Sequence, residues 1–183
     1  MSHTTEDRCT SALAYWRYAH EYVRAAQDLR ARHHLTCAEM QPLYHLAAQA
    51  LEFGFKGFLR ARGVPAREVL DTHTHALGTS LAAATARGLP PPSAELRAAV
   101  RLLAPHLRPE AFVALRETGR EDVPDLEALF EAVHWLLDAI VPEVAADYTT
   151  HYADSGSPST DAFVVRLRAD LSASRSTAEP LPA

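Results

Sequence analysis

Five polar side chains, His45, Gln49, Glu52, Lys56 and Arg60, recur at spacings of four, three, four and four in and just before the run AAQALEFGFKGFLRARG, which is otherwise apolar or small. On a helix these spacings place all five on one narrow face. Lys56 is the only lysine of the chain, against 17 arginines. A glutamate four residues before a lysine is the favourable order for a helical ion pair. The stripe therefore has two readings: a pair that fixes helix register in a partly buried groove, or the polar lining of a groove for a ligand or nucleic acid.

Other chemistry is poorly served. Ten histidines invite a metal reading, with His33–His34 and His73–His75 as the clusters. Adjacent and i,i+2 histidines point to different faces of a helix, and no acidic or cysteine set stands at ligand spacing, so no metal and no cofactor are expected. The seven glycines are dispersed, which leaves neither a phosphate-cradling loop nor a Gly-x-Ser-x-Gly elbow. Cys9 and Cys37 lack the context of a nucleophile and are too few for a disulfide framework.

The elements that must position the stripe are helices. Apolar residues recur three and four apart and no stretch alternates cleanly, which predicts an all-α protein. With 183 residues, 48 % of them hydrophobic, the chain is long enough for one domain with a core. A first helix is expected over residues 11–33, with Tyr15, Ala19, Tyr22, Ala26 and Leu29 inward and Trp16 and Val23 beside them. Arg17, Glu21, Arg24 and Asp28 make its solvated face. The second begins between Thr36, which with Glu39 fits a capping box, and Pro42, and it ends at Gly63. Its small residues, Ala47, Ala50, Gly54, Gly57 and Ala61, mark the central helix of a bundle, because each internal glycine costs about 1 kcal/mol of helix propensity and is best explained by close packing.

After a turn, VPAREVLDT, a third helix is expected to open with Thr74 as N-cap and His75 at its first position, and to end near Gly88. The Pro90–Pro92 run forces an extended connector, and Ser93 caps a fourth helix bearing Leu96, Val100, Leu103 and Leu107. The pattern over 109–123 is irregular. A fifth helix begins near Pro124 or Asp125, with Leu126, Leu129, Phe130, Val133, Leu137, Ile140, Val141 and Val144 buried, and Pro142 should kink or end it. Residues 1–152 are thus expected to form the helical domain, and 153–183 an appendage around AFVVRLRADL followed by a disordered tail. The run from Ala132 to Val144 is broken by His134, Asp138, Pro142 and Glu143 and falls short of the roughly 20 residues a membrane span needs. With no leader-like start and few cysteines, a cytoplasmic location is expected. A net charge of −5 disfavours a general phosphate-binding surface.

The residues Ala48, Gln49, Ala50, Glu52, Lys56, Leu59, Gly63 and His75, in AAQALEFGFKGFL followed by HTHAL, resemble the core pattern of the HEPN domain family. The resemblance covers about half of the chain and implies an antiparallel helical bundle, here of about five main helices plus the C-terminal appendage, usually a homodimer. It places the chain among prokaryotic toxin and antiviral systems, beside nucleotidyltransferases, and among nucleotide-binding modules. The helix faces, more apolar than a five-helix monomer needs, agree with homodimerisation.

Many HEPN proteins are metal-independent ribonucleases whose motif is an arginine, four to six residues, then a histidine, the histidine serving as general base and the arginine steadying the phosphate. Two pairs here have that spacing, Arg67 with His73 and Arg101 with His106. With so many arginines and histidines, about three such pairs arise by chance, so spacing alone decides nothing. Glu68 after Arg67 sets a negative charge where a positive field is needed, and Leu102 after Arg101 with Pro105 before His106 is a poor copy of the motif. The expectation is a HEPN-like binding module, for a nucleotide, RNA or a partner protein such as a nucleotidyltransferase, with His45, Gln49, Glu52, Lys56, Arg60 and His75 lining its groove. The alternatives are a metal-independent ribonuclease toxin and a purely scaffolding subunit.

Overall fold

A computed structural model describes residues 10–32, 40–107, 125–152 and 157–176. Among these the chain is all-α, a bundle of seven α-helices: α1 (Ala12–Arg32), α2 (Gln41–Ala61), α3 (Ala66–His73), α4 (Leu77–Ala86), α5 (Ala94–Leu103), α6 (Leu126–His151) and α7 (Thr160–Ser176), with one 3₁₀ turn (Ala104–Leu107) after α5. No helix among the described residues is long and apolar enough to cross a membrane.

The helix ends follow local chemistry. Ser11 Oγ accepts from Ala14 N at 3.1 Å, Ser93 Oγ from Leu96 N at 3.1 Å, and Asp125 Oδ1 from Ala128 N at 3.1 Å, each meeting one of the donors a helix start leaves unpaired. Pro42 occupies the first turn of α2, whereas the Thr36–Glu39 capping box lies outside the described residues. Gly63 leaves α2 at φ 82° and Val64 N reaches back to Leu59 O at 3.0 Å, a left-handed closure that favours glycine.

α2 is central. An added methyl on Gly57 would stand 3.2 Å from the Ala12 carbonyl oxygen of α1, and one on Gly54 would stand 2.9 Å from Leu136 Cδ2 of α6. The two internal glycines therefore admit one neighbouring helix each. Gly57 lies against Ala12 and Phe53 stacks on Tyr22, so α1 and α2 run antiparallel. Arg30 pairs with Glu127 and Trp16 bonds to Leu137, which makes α1 and α6 antiparallel as well. The buried side of α1 is centred on Trp16, Ala19, Val23 and Ala26, with Tyr22 and Leu29 only partly covered.

Four expectations need correction. The VPAREVLDT stretch holds the helix α3, whose eight residues bury only Val69 and His73, too few to show a period. Thr74 is the C-cap of α3, not an N-cap, and α4 starts two residues beyond His75, at Leu77, with no side-chain cap. α6 continues through Pro142 to His151, so of the kink or end expected there the end is overturned. Pro142 is on the exposed side, where its ring and missing N–H meet solvent rather than a packed neighbour. Beyond Tyr152 the apolar segment is part of a 17-residue helix, α7, which lays Phe163, Leu167 and Leu171 into the same core as α6. Burial of each contributes about 1.5–3 kcal/mol, and α7 absorbs part of the apolar surplus of α6 within the chain. The expected tail, 177–183, lies outside the described residues.

The close approach at Gly57 sets an expected outcome. Gly57→Ala gains about 1 kcal/mol in helix propensity but must push against a backbone oxygen, so thermal or denaturant unfolding should show a net loss of about 1 kcal/mol or more. Gly78→Ala, where an added methyl meets nothing within 4 Å, should be stabilising.

Candidate functional site

Glu52 is 2 % exposed and Lys56 4 %, so both charges sit inside the bundle and need partners. Lys56 Nζ donates to Glu52 Oε1 at 2.6 Å and to Thr74 Oγ1 at 3.1 Å, and Thr74 Oγ1 donates onward to Leu70 O at 2.7 Å. The other carboxylate oxygen, Oε2, accepts the backbone N–H of His75 at 3.0 Å, with His75 Nδ1 3.2 Å away. The ion pair of α2 thus holds the turn between α3 and α4. To offer both its amide and its ring nitrogen to one carboxylate, His75 takes φ 55°, uncommon for a residue with a side chain. Its imidazole remains half exposed, and with Nδ1 at the carboxylate, Nε2 is the ring atom left for an outside partner.

The stripe divides in two. Arg60 is occupied by the main chain, Nε donating to Thr10 O at 2.9 Å and Nη1 to Val64 O at 2.6 Å. Glu52, Lys56 and Arg60 therefore hold the fold together, whereas His45 and Gln49 are half-buried at the margin. Burial, and next the neighbouring His75, hold the His45 imidazole below its ordinary pKa, against a smaller opposing effect of Glu52. Alongside stands an aromatic group: the Phe53 ring lies 5.4 Å from Tyr22, 5.7 Å from Tyr18 and 6.0 Å from Tyr15, with Lys56 Nζ 5.5 Å from its centre. Tyr18 is 46 % exposed.

The two arginine–histidine pairs fare differently. Arg67 projects into solvent beside Asp71 at 3.5 Å, while His73 is buried with Nδ1 3.2 Å from Ser80 Oγ. Burial is the main cause that lowers the His73 pKa. One helix carries both, but their side chains part, one outward and one inward. Arg101 is exposed at the end of α5, and His106 lies in the 3₁₀ turn, its side chain outside the described set. Among the described residues no three His, Cys, Asp or Glu side chains are grouped to hold a metal; His33, His34, Cys9 and Cys37 lie outside them.

A second polar cluster escaped the sequence reading. His20 and Gln27, seven apart on α1, face α6, where Gln27 Nε2 lies 3.1 Å from His134 Nε2. The His20 ring stacks on Trp16 at 5.3 Å, and the Trp16 indole donates to Leu137 O at 3.1 Å. Burial, then Arg175 and His20, push the His134 imidazole down to about 4. The only sequence signal was the i,i+7 spacing on an otherwise apolar face, together with a histidine inside the apolar run of α6.

The fold and these contacts define an all-α helical bundle whose central helix carries a buried ion pair tied to a neighbouring turn. In comparison with protein-family profiles, curated proteins and solved structures, nothing matches this chain.

Two outcomes follow. In a double-mutant cycle, Glu52→Leu and Lys56→Met should each cost about 3 kcal/mol or more, because each strands the other charge away from water, and the double change should cost less than either single one; simple additivity would contradict the coupling. For His134, the folded pKa lies below the unfolded value of about 6.5, so between these values the unfolded chain binds more protons. Stability must then fall as pH drops from about 6.5 to 4, by up to about 3 kcal/mol from this group. His134→Gln should flatten that slope in urea titrations run across the window.

Proposed function

We propose that this chain is a HEPN-like binding module of a prokaryotic stress or defence system, with the surface beside the Glu52–Lys56 pair as its contact face. The observation that carries the reading is the division of labour around Glu52. The charged residues that resemble the family core are consumed internally, and what they hold out to solvent is the His75 imidazole, with His45 near it and the Tyr18–Tyr22–Phe53 group against Lys56. Flat aromatic rings and an oriented imidazole suit a nucleobase or the side chains of a partner protein. The charge balance supports a nucleotide or a protein over long RNA: Lys56 is neutralised by Glu52, Arg60 is bound to carbonyls, and the net charge is −5. The separation of Arg67 from the buried His73 favours the module over the ribonuclease.

Binding of labelled mononucleotides, short RNA and candidate protein partners is measured for the native chain, Tyr18→Ala and His75→Gly. Glycine accepts the backbone angle at position 75 without strain, so this variant removes the imidazole and should stay folded. Both variants should weaken binding about tenfold or more with the fold intact by circular dichroism. In chelator, RNA should remain uncut; cleavage that disappears in His73→Ala or His106→Ala would replace this reading with the ribonuclease.

A further inference from the structure

A second concavity opens between α1 and α7, a cleft of about 520 Å³ that shares Tyr18 with the surface described above and whose size suits a small molecule. Its walls include Trp16, Arg17, His20, Glu21, Arg24 and Asp170. Two features set it apart from an ordinary surface dent. His20 is 8 % exposed, and its Nε2 is buried with no hydrogen-bond partner, a condition that native interiors seldom leave unmet. The rim charges are also incompletely paired. Arg24 meets Glu21 at 3.3 Å, but Arg17 on α1 and Asp170 on α7 have no ion-pair partner among the described residues, although they line the same cleft.

One free cation on one wall and one free anion on the other complement a molecule that carries both signs. The four rim charges sum to zero, which favours neither a polyanion nor a polycation and sets this cleft apart from a nucleic-acid surface. The stacked and nearly buried Trp16 and His20 rings back the cleft, burial being the main cause that holds the imidazole below its ordinary pKa. From this arrangement we infer that the α1–α7 cleft binds a small zwitterion of amino-acid size, its carboxylate on Arg17 and its ammonium on Asp170. Because α7 supplies one wall, such a ligand also holds α7 onto the bundle, and occupancy stabilises the folded chain by mass action.

The test is a titration of the full chain carrying Trp135→Phe, which leaves Trp16 as the sole tryptophan reporter. The probes are the genetically encoded L-amino acids, and for any that binds, its decarboxylated amine and its deaminated acid. At least one amino acid should give saturable quenching or enhancement and a concentration-dependent rise in melting temperature. Arg17→Ala and Asp170→Ala, both changes of exposed side chains, should each weaken that binding about tenfold or more, the amount expected for one charge-assisted hydrogen bond, with circular dichroism unchanged. The inference is overturned if no amino acid binds at millimolar concentration, if the amine or acid alone binds as tightly as the parent, or if neither variant weakens binding. His75→Gly, which probes the other surface and does not line the cleft, should leave this binding intact.

Discussion

A carboxylate placed inside a protein must find a donor for each of its oxygens or become too costly to keep. Glu52 is in that position, and the architecture around α2 can be read as the solution. Lys56, one turn further on, satisfies one oxygen; the other can be reached only by a segment that comes in from outside the helix. The α3–α4 turn supplies it, and to do so it gives up regular geometry at His75. The relative placement of three helices thus rests on the hydrogen-bond requirement of one side chain, with Val69, Leu77 and the His73–Ser80 contact sealing the corner from the apolar side.

The same requirement explains why the one lysine of the chain is here and the arginines are elsewhere. The ammonium is compact and can direct separate N–H bonds to a carboxylate and a hydroxyl within one small space. A guanidinium is planar and wide, and its donors suit acceptors arranged in one plane. Arg60 shows that use one turn along, where it spans two backbone carbonyls, Thr10 and Val64, and so joins the entry of α1 to the exit of α2. Neither side chain could do the work of the other without moving a helix.

Long amphipathic elements were legible in the sequence because their periods repeat. The sequence pattern places α1, α2, α5 and the start of α6 within a few residues, and Ser93, Asp125 and Gly63 mark helix ends through local chemistry. The Glu52–Lys56 pair was legible from spacing alone; that His75 belongs beside it came only from the family resemblance, since nothing local announces that its amide turns toward a residue 23 positions earlier. Thr74 misled because a threonine after a break reads as the start of a helix, whereas here its hydroxyl closes the end of one on Leu70. α7 was underestimated because its polar residues outnumber the single buried row of Phe163, Leu167 and Leu171. The His20–Gln27–His134 cluster is a tertiary product of two helices far apart in sequence, which no single window contains.

The bond from the Trp16 indole to the Leu137 carbonyl joins residues 121 positions apart, and this has a consequence for the order of assembly. The α1–α2 hairpin is local and can form early, yet until α6 arrives it carries a large apolar ring with an unmatched N–H on the face that will become the core. Closure by α6 is a contact of high sequence separation, the kind that slows folding because loop entropy is lost before any reward is gained. The amino-terminal hairpin cannot complete this bond from its own residues: its indole donor is met only by a carbonyl 121 positions further along the chain.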